Sequence, residues 1–258
     1  MKPVQITDAM WNGWMGKLLY VPLLNVLVLL YVYIPGQDLG LAIIAITILI
    51  RVILHPSYRN TLRAQRGMQR IQPYIDKIKQ EFKNDPKRQS EETMKLYKEH
   101  RVNPFGSCLP LIIQLPVVIA LYRVFIAGLN TSSLTHLYSW FPHPPVQLHT
   151  TFLVFTHISQ LTIDLTSRNI YLAVIAGLAQ LLQSLVTMQR AGKTPAARSQ
   201  SMFMLLFPVV TFGLALTLPS ALALYWATTT LVMTLEQLWV FAILDRQEKD
   251  VASVTHHG

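Results

Sequence analysis

The sequence predicts an all-α, polytopic membrane protein: a five-span core bundle enclosing a hydrophilic groove, with a helical hairpin in the cytoplasm. Three observations lead there. The 258 residues are 52% hydrophobic and only 14% charged, against about 25% charged in an ordinary soluble domain, and the mean hydropathy is +0.35. Five apolar runs approach the ~20 residues that a helix needs to cross a bilayer core. The net charge of +9 is concentrated, with twelve Lys/Arg between residues 57 and 107.

Residues 1–39 form an N-terminal segment. It has no A-x-A-like site after a short apolar core, so it does not read as a cleaved signal peptide. It lacks the Arg/Ser-rich character of a transit peptide, which favours a bacterial protein. The apolar run 18–34 holds Pro22 and Asn25. It is either a short sixth span or a helix along the outer interface, where Trp11, Trp14 and its tyrosines are at home. Span one is 40–56, span two 108–128, span three 170–188, span four 202–218 and span five 219–244. The last two meet at Leu218–Pro219–Ser220 as a tight antiparallel hairpin.

Lysine and arginine bias sets the orientation. Block 57–107, loop 189–201 (Arg190, Lys193, Arg198) and tail 245–258 (Arg246, Lys249) are basic, and loop 129–169 carries only Arg168. The first three are cytoplasmic, so the C-terminus is inside. Loop 129–169 is extracytoplasmic, with PHPP at 142–145 and an apolar piece, 151–158, too short to span. Within the basic block Met68, Ile71, Ile75, Ile78 and Phe82 recur at spacings of 3, 4, 3 and 4, an apolar seam on one helix face. Asn84, Asp85 and Pro86 break the chain as a turn. A second helix, about 87–100, offers Met94 and Tyr97 to the seam. Gly67 and Pro73 weaken the first helix.

A single cysteine, Cys108, excludes an intramolecular disulfide framework and a cysteine metal cluster. The histidines form no HExxH pair, so no metal site is expected, and there is no P-loop. No Ser/His/Asp or paired-carboxylate set lies at membrane depth, so the chain does not read as an enzyme and needs no cofactor. Arg51 is the informative residue. It sits inside span one, where a charge costs about 2.5–3.5 kcal/mol at the helix centre. It either snorkels to the headgroups about 7 Å away or faces a wet cavity. Thr47 and Gly40 share its face. The only acid in the other spans is Glu236, toward the cytoplasmic end of span five. Gln180, Gln183, Ser184 and Thr187 make a polar stripe on span three. Gln114 and Thr228, Thr229 and Thr230 add hydrogen-bonding groups, which either join helices or line a hydrophilic interior. Met188, Met202, Met204 and Met233 are flexible apolar surface or core filling. Tyr225 and Trp226 anchor the outer interface or line a substrate path. Arg123 is expected near the outer end, snorkelling.

These residues together resemble the YidC/Oxa family of insertases. Thr47 to Arg51 with His55–Pro56 is similar to the family's first core span and its groove arginine. Gln72–Pro73, Leu96–Tyr97, Asn103–Pro104, Cys108–Leu109–Pro110 and Gln114–Leu115–Pro116 resemble a run of family motifs. So do Leu218–Pro219–Ser220 and Tyr225–Trp226. The resemblance covers about 40–244. It implies a five-span core with a groove open to cytoplasm and lipid, an interfacial role for 18–34, and substrate reception by the cytoplasmic hairpin. It also implies that Arg51, Thr47 and Trp226 lie in the groove. Leu218 and Ala221 stand where the family usually has Phe and Gly. The large outer domain and long basic tail of some members have no counterpart, so a strong ribosome tether is not expected.

The expected activity is membrane protein insertion and chaperoning, at the bacterial plasma (inner) membrane. Nascent membrane proteins and the lipid bilayer are the expected partners. The ribosome and a Sec-type translocon are further candidates, and no specific nucleic acid is expected. A small-solute anion transporter, with Arg51 as anion site, is the alternative. The missing inverted repeat and the large cytoplasmic hairpin oppose it.

Overall fold

A computed structural model describes residues 13–103, 109–127, 131–141, 144–145, 147–153, 162–190 and 204–255. A π-helical turn, Gly16–Tyr20, leads into α1 (Val21–Tyr33). Then come α2 (Leu39–Glu81), α3 (Pro86–Glu99) and α4 (Leu109–Ala127). The outer segment holds a 3-10 turn, Thr131–His136, and strands β1 (Thr151–Leu153) and β2 (Thr162–Asp164). Helices α5 (Ile170–Arg190), α6 (Leu206–Thr217) and α7 (Ser220–Thr255) complete the chain.

Among the described residues, four stretches are long and apolar enough to cross a membrane: Gly16–Tyr33 and parts of α2, α5 and α7. Two shorter apolar stretches, Gln114–Ile126 and Leu206–Thr217, lie in α4 and α6. The predicted spans therefore correspond to α2, α4, α5, α6 and α7. Cys108, Met202 and most of loop 189–201 lie outside the described residues, as do two residues of PHPP.

The bound set between span one and the hairpin at residue 56 is not a helix end. Helix α2 runs 43 residues through Pro56 and Pro73, about 65 Å at 1.5 Å per residue. That is twice the ~30 Å hydrocarbon core, so span one and the first hairpin helix are one rod. Each proline removes one N–H, but packing flanks both sites. Tyr58 and Leu62 pack with Val240 and Phe241 of α7 just beyond Pro56. Ile71 and Ile75 pack with Leu96 of α3 around Pro73. The rod starts sharply. Gly36 and Gln37 take left-handed φ of 82° and 50°, and Asp38 caps the helix by accepting the Leu41 N–H at 2.9 Å.

The hairpin follows the predicted seam, with two changes. Met68, Ile71, Ile75, Ile78 and Tyr97 all join its core, but Leu96 is the buried residue of α3 and Met94 is exposed. Phe82 instead carries the Arg88 guanidinium over its ring at 5.8 Å. Asp85 accepts the Arg88 N–H at 3.0 Å, and Pro86 opens α3 where its missing N–H costs nothing.

The outer segment is not all helix. β1 and β2 pair antiparallel, with Phe152 opposite Ile163, and β1 opens the apolar piece that is too short to span. Phe152 packs onto Gly40 so closely that a Cβ there would lie 2.8 Å from the phenylalanine Cβ. The α6–α7 turn docks beneath the strands: Ser220 Oγ donates to the Asp164 carbonyl at 2.7 Å, and Ala221 N to Leu165 O at 3.0 Å. Helix α1 buries Leu24, Leu27, Val28 and Tyr31. Its Asn25 accepts the Tyr138 N–H at 2.8 Å, and its Tyr31 hydroxyl accepts the His149 N–H at 3.0 Å. Arg123 lies over the Tyr20 ring at 5.7 Å, so it has a partner in the π-helical turn beside α1.

Candidate functional site

Two apolar cores leave a polar layer between them. The larger core joins α1, the N-terminal part of α2, α4, α5, the start of α7 and the outer segment, and on α2 it ends at Ile46 and Ile50. The second core begins at Tyr58. Arg51 lies between and is only 6% exposed. It does not snorkel. Its Nη2 donates to Gln114 Oε1 of α4 at 2.8 Å, and its guanidinium stands 5.8 Å from the Tyr58 ring centre. Gln114 Nε2 donates in turn to the Tyr225 hydroxyl of α7 at 2.5 Å. Tyr225 is therefore an interior residue rather than an anchor at the outer interface.

A guanidinium has five N–H donors. Gln114 is the acceptor that Arg51 reaches, and among the described residues no carboxylate forms an ion pair with it. Glu236 comes close but takes another partner: its Oε1 lies 2.5 Å from His55 Nδ1. Arg51, His55 and Glu236 border a cavity of about 430 Å³ between α2 and α7. Its walls are Ile48, Val52, Val232, Leu235 and Trp239. Most of its lining is apolar, so it is less hydrophilic than expected.

The stripe on α5 meets α7. Gln183 Nε2 donates to Gln237 Oε1 at 2.8 Å, the Thr234 hydroxyl donates to Gln183, and Thr187 lies 3.3 Å from Gln237. Ser184 Oγ donates to the Met204 carbonyl at 3.2 Å. These groups join helices rather than line open water. Thr47 is fully buried, its hydroxyl donating to Ile43 O at 2.6 Å. It lies at the edge of the layer and cannot meet a visitor without a rearrangement. Trp226 is half-buried and makes no hydrogen bond among the described residues. Thus Arg51, Gln114 and Tyr225 come together, Gln183, Ser184 and Thr187 form a second group, and Thr47 and Trp226 join neither.

Sequence reasoning missed Tyr58, Thr234 and Gln237. The signal was present: Thr230, Thr234 and Gln237 recur at i, i+4 and i+7, which puts one polar line on an apolar helix.

The family model of the 60Kd inner membrane protein matches residues 29–247. The chain belongs to this family. The membrane protein insertase YidC of Clostridium tetani is 36% identical over 200 residues, covering 77% of this chain and 79% of that protein. The YidC insertase of Oleidesulfovibrio alaskensis is 32% identical over 240 residues, or 92% of this chain. That stretch is 41% of the relative, so the chain spans well under half of such longer family members. The crystal structure of an active YidC insertase with its first transmembrane domain resolved aligns at TM-score 0.58 and 26% identity. The alignment covers 87% of this chain and 46% of that one.

Proposed function

We propose that this member of the 60Kd inner membrane protein family inserts nascent proteins into the bacterial inner membrane, using Arg51 to draw the polar flank of the incoming segment into the bundle. One observation carries the reading: a buried guanidinium at membrane depth, with a single hydrogen-bond acceptor and no ion pair among the described residues, beside a cavity. Such a charge is expensive in hydrocarbon. It is rational only if something polar visits it.

The mechanism is physical rather than catalytic. Burial of an apolar segment in lipid is favourable, and the barrier is the passage of its polar flank. A polar layer part-way through the bilayer shortens the apolar path. In a water-poor setting Arg51 attracts an acidic residue far more strongly than in bulk water. A potential positive outside assists an acidic flank by about 2.3 kcal/mol per charge per 100 mV. Exit is sideways. Among the described residues helix α4 packs only sparsely against α2 and α7, and no substantial contact ties it to α6.

In this reading the basic hairpin of α2 and α3 stands in the cytoplasm and receives the segment, and the C-terminal end of α7 is cytoplasmic. Helix α1 lies along the outer surface, since its Asn25 and Tyr31 both bond to the outer segment. Nascent membrane proteins and lipid are the partners, with the ribosome and a Sec-type translocon as further candidates. The test uses liposomes containing only this protein and a single-span substrate whose translocated flank carries two acidic residues or two glutamines. Arg51→Gln is expected to lower insertion of the acidic form about tenfold and to spare the neutral form. An acidic-to-neutral insertion ratio that Arg51→Gln leaves unchanged refutes the electrostatic role.

A further inference from the structure

Arg51 and His55 lie one turn apart on the same face of α2, and Glu236 of α7 stands across from both. All three border the same cavity. Glu236 partners His55 at 2.5 Å, with its side chain 9% exposed. Among the described residues it forms no ion pair with Arg51. Charge alone favours the other arrangement. Arginine is always cationic and offers a carboxylate two parallel N–H bonds. Side chains at i and i+4 stand about 5–6 Å apart at Cβ, so Arg51 and His55 are adjacent groups facing the cavity that Glu236 also lines.

We propose that His55 is a positioning residue that holds Glu236 off Arg51 and so keeps the guanidinium open to an acidic residue of the incoming chain. Glu236 is then a built-in competitor, and the substrate's carboxylate occupies the place it would otherwise take. The Trp239 ring, 5.8 Å from the imidazole, steadies His55 at the cavity wall. This inference deepens the insertase reading and rests on it for the activity assay. The placement of Glu236 is tested independently.

A crystal structure of the His55→Leu variant gives that independent test. A Glu236 oxygen within about 4 Å of the Arg51 guanidinium is expected, the separation of an ion pair. A Glu236 that stays farther away overturns the proposal. In liposomes, His55→Leu is expected to lower the ratio of acidic-flank to neutral-flank insertion about tenfold. His55→Leu/Glu236→Gln is expected to restore it. A mere clasp between α2 and α7 would lower both substrates together, leaving the ratio flat and the proposal refuted. If Arg51→Gln also leaves the ratio unchanged, the insertase electrostatics fail, and the crystal structure still decides where Glu236 goes.

Discussion

Replacing Gln114 by leucine is expected to destabilise the bundle by about 2–4 kcal/mol, and replacing it by glutamate is expected to preserve stability while disabling the site. The leucine change removes the acceptor at 2.8 Å from Arg51, a bond to a charged group worth about 1.5–3 kcal/mol. It also removes the donor to Tyr225, worth about 0.5–1.5 kcal/mol, and entering water offsets part of the sum. At about 2–4 °C per kcal/mol for a chain of this size, the unfolding midpoint falls roughly 5–15 °C. The glutamate change sets a carboxylate against Arg51. Its attraction, about 4 kcal/mol at an effective dielectric of 20, is offset by several kcal/mol for burying the carboxylate, so the midpoint stays near that of the parent. The arginine is then neutralised, and the preference for acidic flanks disappears. Tryptophan fluorescence on heating in detergent measures the first effect, and the paired liposome assay the second. A leucine variant as stable as the parent refutes the reasoning, as does a glutamate variant that still prefers acidic flanks.

Three further outcomes follow from the packing. Gly40→Ala drives a Cβ to 2.8 Å from the Phe152 Cβ. Overpacking of this kind costs about 1–3 kcal/mol, seen as a lower unfolding midpoint. Ile75→Ala opens a cavity against Ile71 and Leu96, at about 2–4 kcal/mol; hydrogen exchange should accelerate in α3 and remain slow in α5. Asp85→Ala removes the cap on the Arg88 N–H, at about 1 kcal/mol, and should speed exchange by several-fold at Arg88 and Gln89 alone.

The helices were legible in the sequence because hydrocarbon and water impose opposite demands on every turn. The seam from Met68 to Ile78 has the spacing of one helix face, and it is the face that α3 covers. Arg51 was legible for the same reason, since a charge within an apolar run needs an explanation. The continuity of the rod through Pro56 was not legible, because a proline's local effect is to break helices, whereas the packing of Tyr58 and Leu62 on α7 carries the rod past it. Met94 and Leu96 were interchanged because a 14-residue helix with few apolar groups fixes its own rotation poorly. The pairing of Gln183 with Gln237 depends on how α5 and α7 are set against each other, which one chain's periodicity does not encode. The partner choice of Glu236 depends on distances of a few ångströms between α2 and α7, beyond the reach of any spacing rule.

The central claim is that an incoming segment passes Arg51 rather than sliding along the outside of the bundle. Site-specific photocrosslinking to a stalled nascent chain tests it, with the probe at Val52 and Leu115, which adjoin Arg51 and Gln114, and at Leu178 on α5. These positions are 65%, 52% and 60% exposed, so lipid access alone predicts similar yields. Strong crosslinks from Val52 and Leu115 with little from Leu178 are expected; equal yields at all three positions would contradict the account.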